Sequence, residues 1–149
     1  MQRRIIPDVI DGGQLLVTLT PGATALDAAQ VMIERQVGAV LVLEQSKVIG
    51  IVSERDIVSK VVVHQKDPAA MPVQEIMTPD PQTIDPDARA IDALRLMQHG
   101  HFRHLPVVKD GVLHGMVSIR DIFRESAAEL EEGLQAVETL VYGEHYGVN

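Results

Sequence analysis

Val48-Ile49-Gly50-Ile51-Val52-Ser53-Glu54-Arg55-Asp56 and, later, Leu113-His114-Gly115-Met116-Val117-Ser118-Ile119-Arg120-Asp121 are one phrase stated twice. In each copy an apolar, β-branched run with a glycine inside it passes into Ser-x-Arg-Asp and then into an apolar helical stretch. That is a strand handing over to a helix. The serine stands where an N-cap oxygen accepts a backbone N–H, and the aspartate three residues on places negative charge in the first turn. Two capped helices account for the pattern. A binding site accounts for it as well, because a helix N-terminus with an Arg and an Asp can hold a phosphate and a ribose diol.

The copies lie 65 residues apart, Gly50 to Gly115, Ser53 to Ser118 and Asp56 to Asp121. The same offset pairs Pro21 with Pro86, Asp27 with Asp92, Ala28 with Ala93, Met32 with Met97 and Val42 with Val107, all without a gap. The chain is therefore an internal duplication. Two units are too few for an open solenoid, so a closed pair related by a pseudo-twofold axis is expected.

Working outward, residues 1–14 read as a lead-in broken by Pro7 and Gly12-Gly13. Residues 15–63 form the first repeat: a short strand at Leu15 to Leu19, then a helix opened by Thr24-Ala25-Leu26-Asp27 and facing its core with Leu26, Ala29, Met32 and Ile33. Gly38 ends that helix. A buried strand to Leu43, a return strand Lys47 to Val52 and a helix from Ser53 follow. Residues 64–81 form the linker, with one helical turn over Pro72 to Met77 and an extended Thr78-Pro79-Asp80-Pro81. Residues 82–125 form the second repeat: a strand at Thr83-Ile84, a helix Asp87 to Met97 capped by Gly100, a buried strand Arg103 to Val108, an Asp110-Gly111 turn and a return strand Val112 to Val117. Residues 126–149 form a C-terminal helix and tail, where Leu130, Leu134, Val137 and Val141 make an apolar stripe among Glu129, Glu131, Glu132 and Glu138. That stripe packs on the chain's own core or receives a partner helix. The fold class is α+β: two β-α-β-β-α repeats, each a small sheet packed on two helices.

Composition narrows the function. At 149 residues and 46% hydrophobic content the chain can bury a core, built from aliphatic residues because aromatics are only 3%. Zero Cys excludes disulfides, thiolate catalysis and cysteine-ligated zinc. A net charge of −8 without a basic run argues against general nucleic-acid binding. No stretch reaches the ~20 apolar residues that span a bilayer, and Met1-Gln2-Arg3-Arg4 does not open a signal peptide. A cytoplasmic protein without membrane contact is expected.

The order of elements told twice, the apolar-Gly-apolar-apolar-Ser-x-x-Asp phrase, Arg103-His104-Leu105-Pro106-Val107 and Ile76-Met77-Thr78-Pro79 together resemble the cystathionine-β-synthase (CBS) domains, which occur as tandem pairs called Bateman modules. The resemblance runs from about Leu15 to Glu125. It implies a regulatory module that binds an adenine nucleotide, AMP, ATP or NAD, between the repeats. In that family the Asp of Ser-x-x-Asp binds ribose, which implies Asp56 and Asp121 here. It also implies phosphate contacts from Ser53, Arg55, Ser118, Arg120, Arg103 and His104. The adenine pocket it implies is formed by Val37, Gly38, Ala39, Val40, Phe102, Leu105 and Pro106. Bateman modules pair into discs, so a homodimer is implied, with the signal passed to a separate effector protein.

Where the second repeat has Arg103-His104, the first has Gly38-Ala39, so the two clefts are expected to differ. His99, His101 and His104 do not share one face, and no metal is expected. No nucleophile triad, P-loop or dinucleotide fingerprint appears, and no catalysis or catalytic cofactor is expected. The alternative reading is a structural dimerisation module with empty clefts.

Overall fold

The computed structural model describes residues 3–143, with side chains described through residue 137. The first repeat comprises β1 (Thr18–Leu19), α1 (Ala25–Arg35), β2 (Ala39–Glu44), β3 (Lys47–Ser53) and α2 (Glu54–Asp56), which runs on as a π-helical segment, Ile57–Val62. α3 (Val73–Ile76) and β4 (Thr78–Pro79) follow. The second repeat comprises α4 (Ala90–Gly100), β5 (His104–Lys109), β6 (Val112–Ser118) and α5 (Ile119–Gly143). One sheet has the order β1-β2-β3-β4, and the other is the hairpin β5-β6. Both hairpins carry an irregularity at the same place, between Val42 and Leu43 and between Val107 and Val108. The duplication thus extends to backbone register.

α1 is capped in both directions: the Thr24 hydroxyl accepts from the Asp27 N–H at 3.1 Å, and the Asp27 carboxylate accepts from the Thr24 N–H at 2.9 Å. Its buried face is Ala25, Ala28 and Met32, while Leu26 and Ile33 are exposed. The expected stripe is therefore corrected by about one residue around the helix, because the alanines allow close approach to the sheet. α4 repeats that face with Ala90, Ala93 and Met97. It begins at Ala90, not Asp87, since the Asp85 carboxylate accepts from the Asp87 N–H at 2.8 Å and holds a turn there. The left-handed residues that end the two helices are Gln36 and His101, not the glycines expected there. The strand expected at Thr83-Ile84 shrinks to a single bridge, Ile84 to Val107. Pro81 stands where the first repeat has Leu16, and it brings no N–H to a ladder.

Each repeat has its own apolar core. The segment read as a lead-in is part of the second one: Ile5 is fully buried there, with Ile10 beside it. Likewise the second half of the linker completes the first core with Val73 and Ile76. The two arms bond alike. Ala90 N–H donates to Arg3 C=O and Ile5 N–H to Ala88 C=O, both at 2.8 Å, while Ala25 N–H donates to Met71 C=O at 2.7 Å and Val73 N–H to Ala23 C=O at 2.8 Å. The chain preceding each repeat therefore closes the other. Gly50 and Gly115 are small for the same reason: Met77 lies where a Gly50 side chain would go, and Ile10 lies 2.9 Å from the place of a Gly115 Cβ.

The arms differ at the sheet edge. β4 pairs with β3 through backbone, Ile51 opposite Thr78. In the second repeat the matching residue, Met116, is met by a side chain: its N–H donates to Gln14 Oε1 at 2.9 Å, and Gln14 Nε2 donates to its carbonyl at 3.2 Å. α5 leaves the body of the protein after Glu129. Leu130, Leu134 and Val137 are 69%, 64% and 56% exposed, so this stripe does not pack on the chain's own core. Glu138 and Val141 lie outside the described side chains. Arg3 ties the N-terminal arm to this helix through Glu125 at 3.3 Å and through Glu129 and Glu132 at 3.2 Å.

Candidate functional site

The repeated phrase folds as a cap in both copies. At the first, the Ser53 hydroxyl accepts from the Asp56 N–H at 3.2 Å, and Asp56 Oδ2 accepts from the Ser53 N–H at 2.9 Å and the Ser53 hydroxyl at 3.1 Å. At the second, Ser118 and Asp121 make the same three bonds at 3.2, 2.8 and 2.9 Å. Each aspartate thus commits one carboxylate oxygen to its helix and keeps the other for its surroundings. The other oxygens differ. Asp56 Oδ1 is held 3.0 Å from Lys60 Nζ, itself anchored on the Ile76 carbonyl at 2.8 Å. Among the described residues, Asp121 Oδ1 pairs with the exposed Arg124, at 3.6 Å.

The helix amides are partly taken. Glu54 N–H donates to Gly38 C=O at 3.0 Å and Ile119 N–H to Arg103 C=O at 2.9 Å, while the serine hydroxyls take the Asp56 and Asp121 amides. Two of the first three amides of each helix therefore already bond to protein.

The repeats meet at Gly38. A Cβ there would lie 3.3 Å from the His104 imidazole and 3.2 Å from Glu54 Oε1, so the glycine makes room for a histidine from the other repeat. Burial holds the His104 pKa below the ordinary 6.5. The carboxylates of Asp121 and Glu54 pull it upward, and the Arg103 and Arg120 guanidiniums push it down. The structure thus gathers Arg103, His104, Arg120 and Asp121 with Glu54 around one point. Arg55 is exposed on its helix and is held by no ion pair among the described residues.

A cavity of about 40 Å³ is lined by Gln14, Leu15, Leu16, Val17, Val37, Leu41 and Met116. Its lining comes from both repeats, and Val37 on its wall precedes Gly38 in the chain. Of the residues expected to hold adenine, Val37 lines this cavity and Gly38 follows it in the chain. Val40 and Leu105 are fully buried in the separate cores, and Ala39 and Pro106 are buried in the strands. Side chains on β2 and β5 alternate, so Val40 and Leu105 turn into the cores while Ala39 and Pro106 face the other side of their strands. Phe102 packs against the second core with its ring against Gly100.

Sequence reasoning missed Glu54, Gln14 and Met116. Glu54 could have been found by contrast, since its match in the second copy is Ile119. Gln14 carries no local signal, because its partner lies 102 residues away. His99 turns back to the Arg95 carbonyl at 2.8 Å, and His101 is the helix cap. No group of three metal-ligating side chains converges among the described residues.

The family model described as the CBS domain matches residues 3–63 and 73–128. A mitochondrial CBS domain-containing protein of Arabidopsis thaliana, CBSX3, is 35% identical over 129 residues, which are 83% of this chain and 63% of the relative. The chain thus spans less than two thirds of that relative's length. A signal-transduction protein with CBS domains from Burkholderia ambifaria, described as putative in its structure, is 34% identical and superposes with a TM-score of 0.75 over 79% of this chain and 86% of its own. The CBS domain pair of protein MJ0100, solved in complex with 5′-methylthioadenosine and S-adenosyl-L-methionine, shares the fold at 21% identity, with a TM-score of 0.77 over 87% of this chain and 99% of its own. With the family model matched over both halves, and with both halves built alike around their capped Ser-x-x-Asp helices, this chain belongs to the CBS-domain family, as a tandem pair.

Proposed function

We propose that the chain is a regulatory module that takes an adenine-bearing ligand of the AMP, ATP or NAD class between its repeats and passes that event to a partner protein. One observation carries the reading: the apolar cavity and the charged group adjoin through consecutive residues, Val37 lining the first and Gly38 touching the second. A nucleotide needs such a junction, with an apolar slot for the base and charge-assisted donors for phosphate. The less tightly paired Oδ1 of Asp121 suits the ribose hydroxyls, and Arg103 and Arg120 suit the phosphate. The matching position at Asp56 is partly occupied by Lys60, which supports a weaker second site. MJ0100 supplies a precedent within the fold for adenosine-bearing ligands. The reading assigns no catalysis, no catalytic cofactor and a cytoplasmic location, although the Arabidopsis relative is designated mitochondrial.

The test is calorimetry with AMP, ATP and NAD on the native chain and on the double variant Asp56→Asn, Asp121→Asn. Binding by the native chain with loss in the variant supports the reading. Equal affinity in both sinks the aspartate assignment.

A homodimer is proposed alongside, supported by the apolar side chains left exposed on the helices: Leu26 and Ile33 of α1, Val58 and Val62 after α2, Phe123 and Leu130 of α5. Light scattering on the full chain and on Ile33→Glu and Leu130→Gln decides whether copies associate and through which helix.

A further inference from the structure

We infer that Gln14 is a built-in stand-in for the base of the ligand: its carboxamide occupies the Met116 N–H and C=O that would read an adenine edge, and it must withdraw for the base to enter. The inference rests on the nucleotide reading above and names how that site is gated. Gln14 makes both bonds that a single strand residue can offer outward, accepting from the Met116 N–H at 2.9 Å and donating to its carbonyl at 3.2 Å. In the first repeat the same edge position, Ile51, is paired by the backbone of Thr78. Adenine presents the same pair of groups as a carboxamide: the ring N1 accepts where the amide oxygen does, and the 6-amino group donates where the amide nitrogen does.

The cavity and the plug are one feature, since Gln14 and Met116 both line the space. At about 40 Å³ that space holds a few water molecules, and a purine requires the glutamine to leave. The side chain is free to do so. Gln14 is exposed, and it follows Gly12-Gly13 and a turn closed by its own N–H on the Asp11 carbonyl at 3.1 Å. The two glycines ease the backbone change. Gln14 also shields Gly115: a Cβ at that glycine would lie 2.8 Å from Gln14 Oε1, so the base would approach over a bare stretch of backbone.

A plug that competes for its own site lowers apparent affinity by the fraction of time it is seated. In Gln14→Ala, AMP binding to the full chain tightens about tenfold, given two hydrogen bonds of ordinary net strength. Ribose 5-phosphate, which has no base, keeps its affinity. Inosine monophosphate, whose N1–H and 6-oxo groups reverse donor and acceptor, gains less than AMP. Gln14→Glu provides a second variant, because a carboxylate cannot donate to the Met116 carbonyl; it too tightens AMP. In the native chain, AMP shifts the Gln14 side-chain amide resonance, assigned by its loss in Gln14→Ala. Unchanged or weaker AMP binding in both variants, with the Gln14 resonance unmoved while AMP binds, overturns the gate and leaves the nucleotide reading standing. Equal gains for AMP and inosine monophosphate overturn the edge matching. No binding of AMP or ribose 5-phosphate by any of the proteins overturns the nucleotide reading, and the gate with it.

Discussion

The two repeats share residues on the buried faces of their first helices and hairpins and differ at several positions around Gly38. Ala25 and Ala90, Ala28 and Ala93, Met32 and Met97, Val42 and Val107, and Val52 and Val117 are identical pairs, all within 4% of complete burial. Among the pairs that differ are Gly38 with Arg103, Ala39 with His104, Glu54 with Ile119 and Lys60 with Glu125. Apart from the last, these gather where the halves meet, and Lys60 and Glu125 decide what holds the neighbouring aspartate. Close packing penalises a change in volume at the first set far more than at the second. Duplication therefore supplied a symmetric scaffold, and the asymmetry of the cleft is written in residues the scaffold does not need.

The exchanged arms carry the largest expected effect. Ile5→Ala empties a fully buried position in the second core, and we expect it to destabilise the protein by about 2–5 kcal/mol, read by denaturant unfolding. A loss below about 1 kcal/mol would mean that the N-terminal arm is dispensable and that the repeats are not closed alike. Next comes the cleft. Arg103→Ala removes a charged donor worth about 1.5–3 kcal/mol, hence a tenfold to hundredfold loss of AMP affinity at one site and little at the other. Equal losses at both sites, measured by calorimetry, would contradict the asymmetry.

A smaller contrast lies in the helix caps. Thr24 and Asp27 bond reciprocally, whereas Arg89 gives its N–H to Asp92 at 3.2 Å and its guanidinium at 3.7 Å but has no side-chain acceptor for a helix amide. Thr24→Ala should lower stability by about 1 kcal/mol and Arg89→Thr should raise it by a similar or smaller amount, seen as opposite shifts in Tm. The smallest effect is set by pH. Because His104 is held below its ordinary value chiefly by burial, the unfolded chain binds its proton first as pH falls. Its contribution is fully present above pH 6.5 and is lost as pH drops from there through the folded-state pKa. His104→Gln should flatten that part of the stability profile, and a melt series from neutral to mildly acidic pH checks it.

The sequence made the duplication, both hairpins, the Thr24 cap and both Ser-x-x-Asp caps legible, because each rests on residues within a few positions of one another. It was blind to the arms. Ile5 and Val73 look like residues of a lead-in and a linker, and only long-range backbone bonds make them core. It misjudged the face of α1 because helical spacing alone favours large Leu26 and Ile33 over small Ala25 and Ala28. At the site, Asp121, Arg103, Arg120 and His104 were all named from the phrase and the strand before it. Val40 and Leu105 were also named, and the pleat turns them into the cores. Gln14 could not be found, since its role exists only opposite Met116.

α5 has a mechanical consequence of its own. The helix begins at the Ser118 cap beside the cleft and continues for 25 residues, a rod of about 37 Å. Such a rod is a lever with its base seated in the second core at Ile122 and an arm that stands clear of the core from Leu130. A tilt of about 5° at the cap carries the far end through about 3 Å, and the 1.5 Å rise per residue sets how much each added turn would amplify it. Arg3, gripping three glutamates along the rod, tethers that arm to the segment that closes the second core.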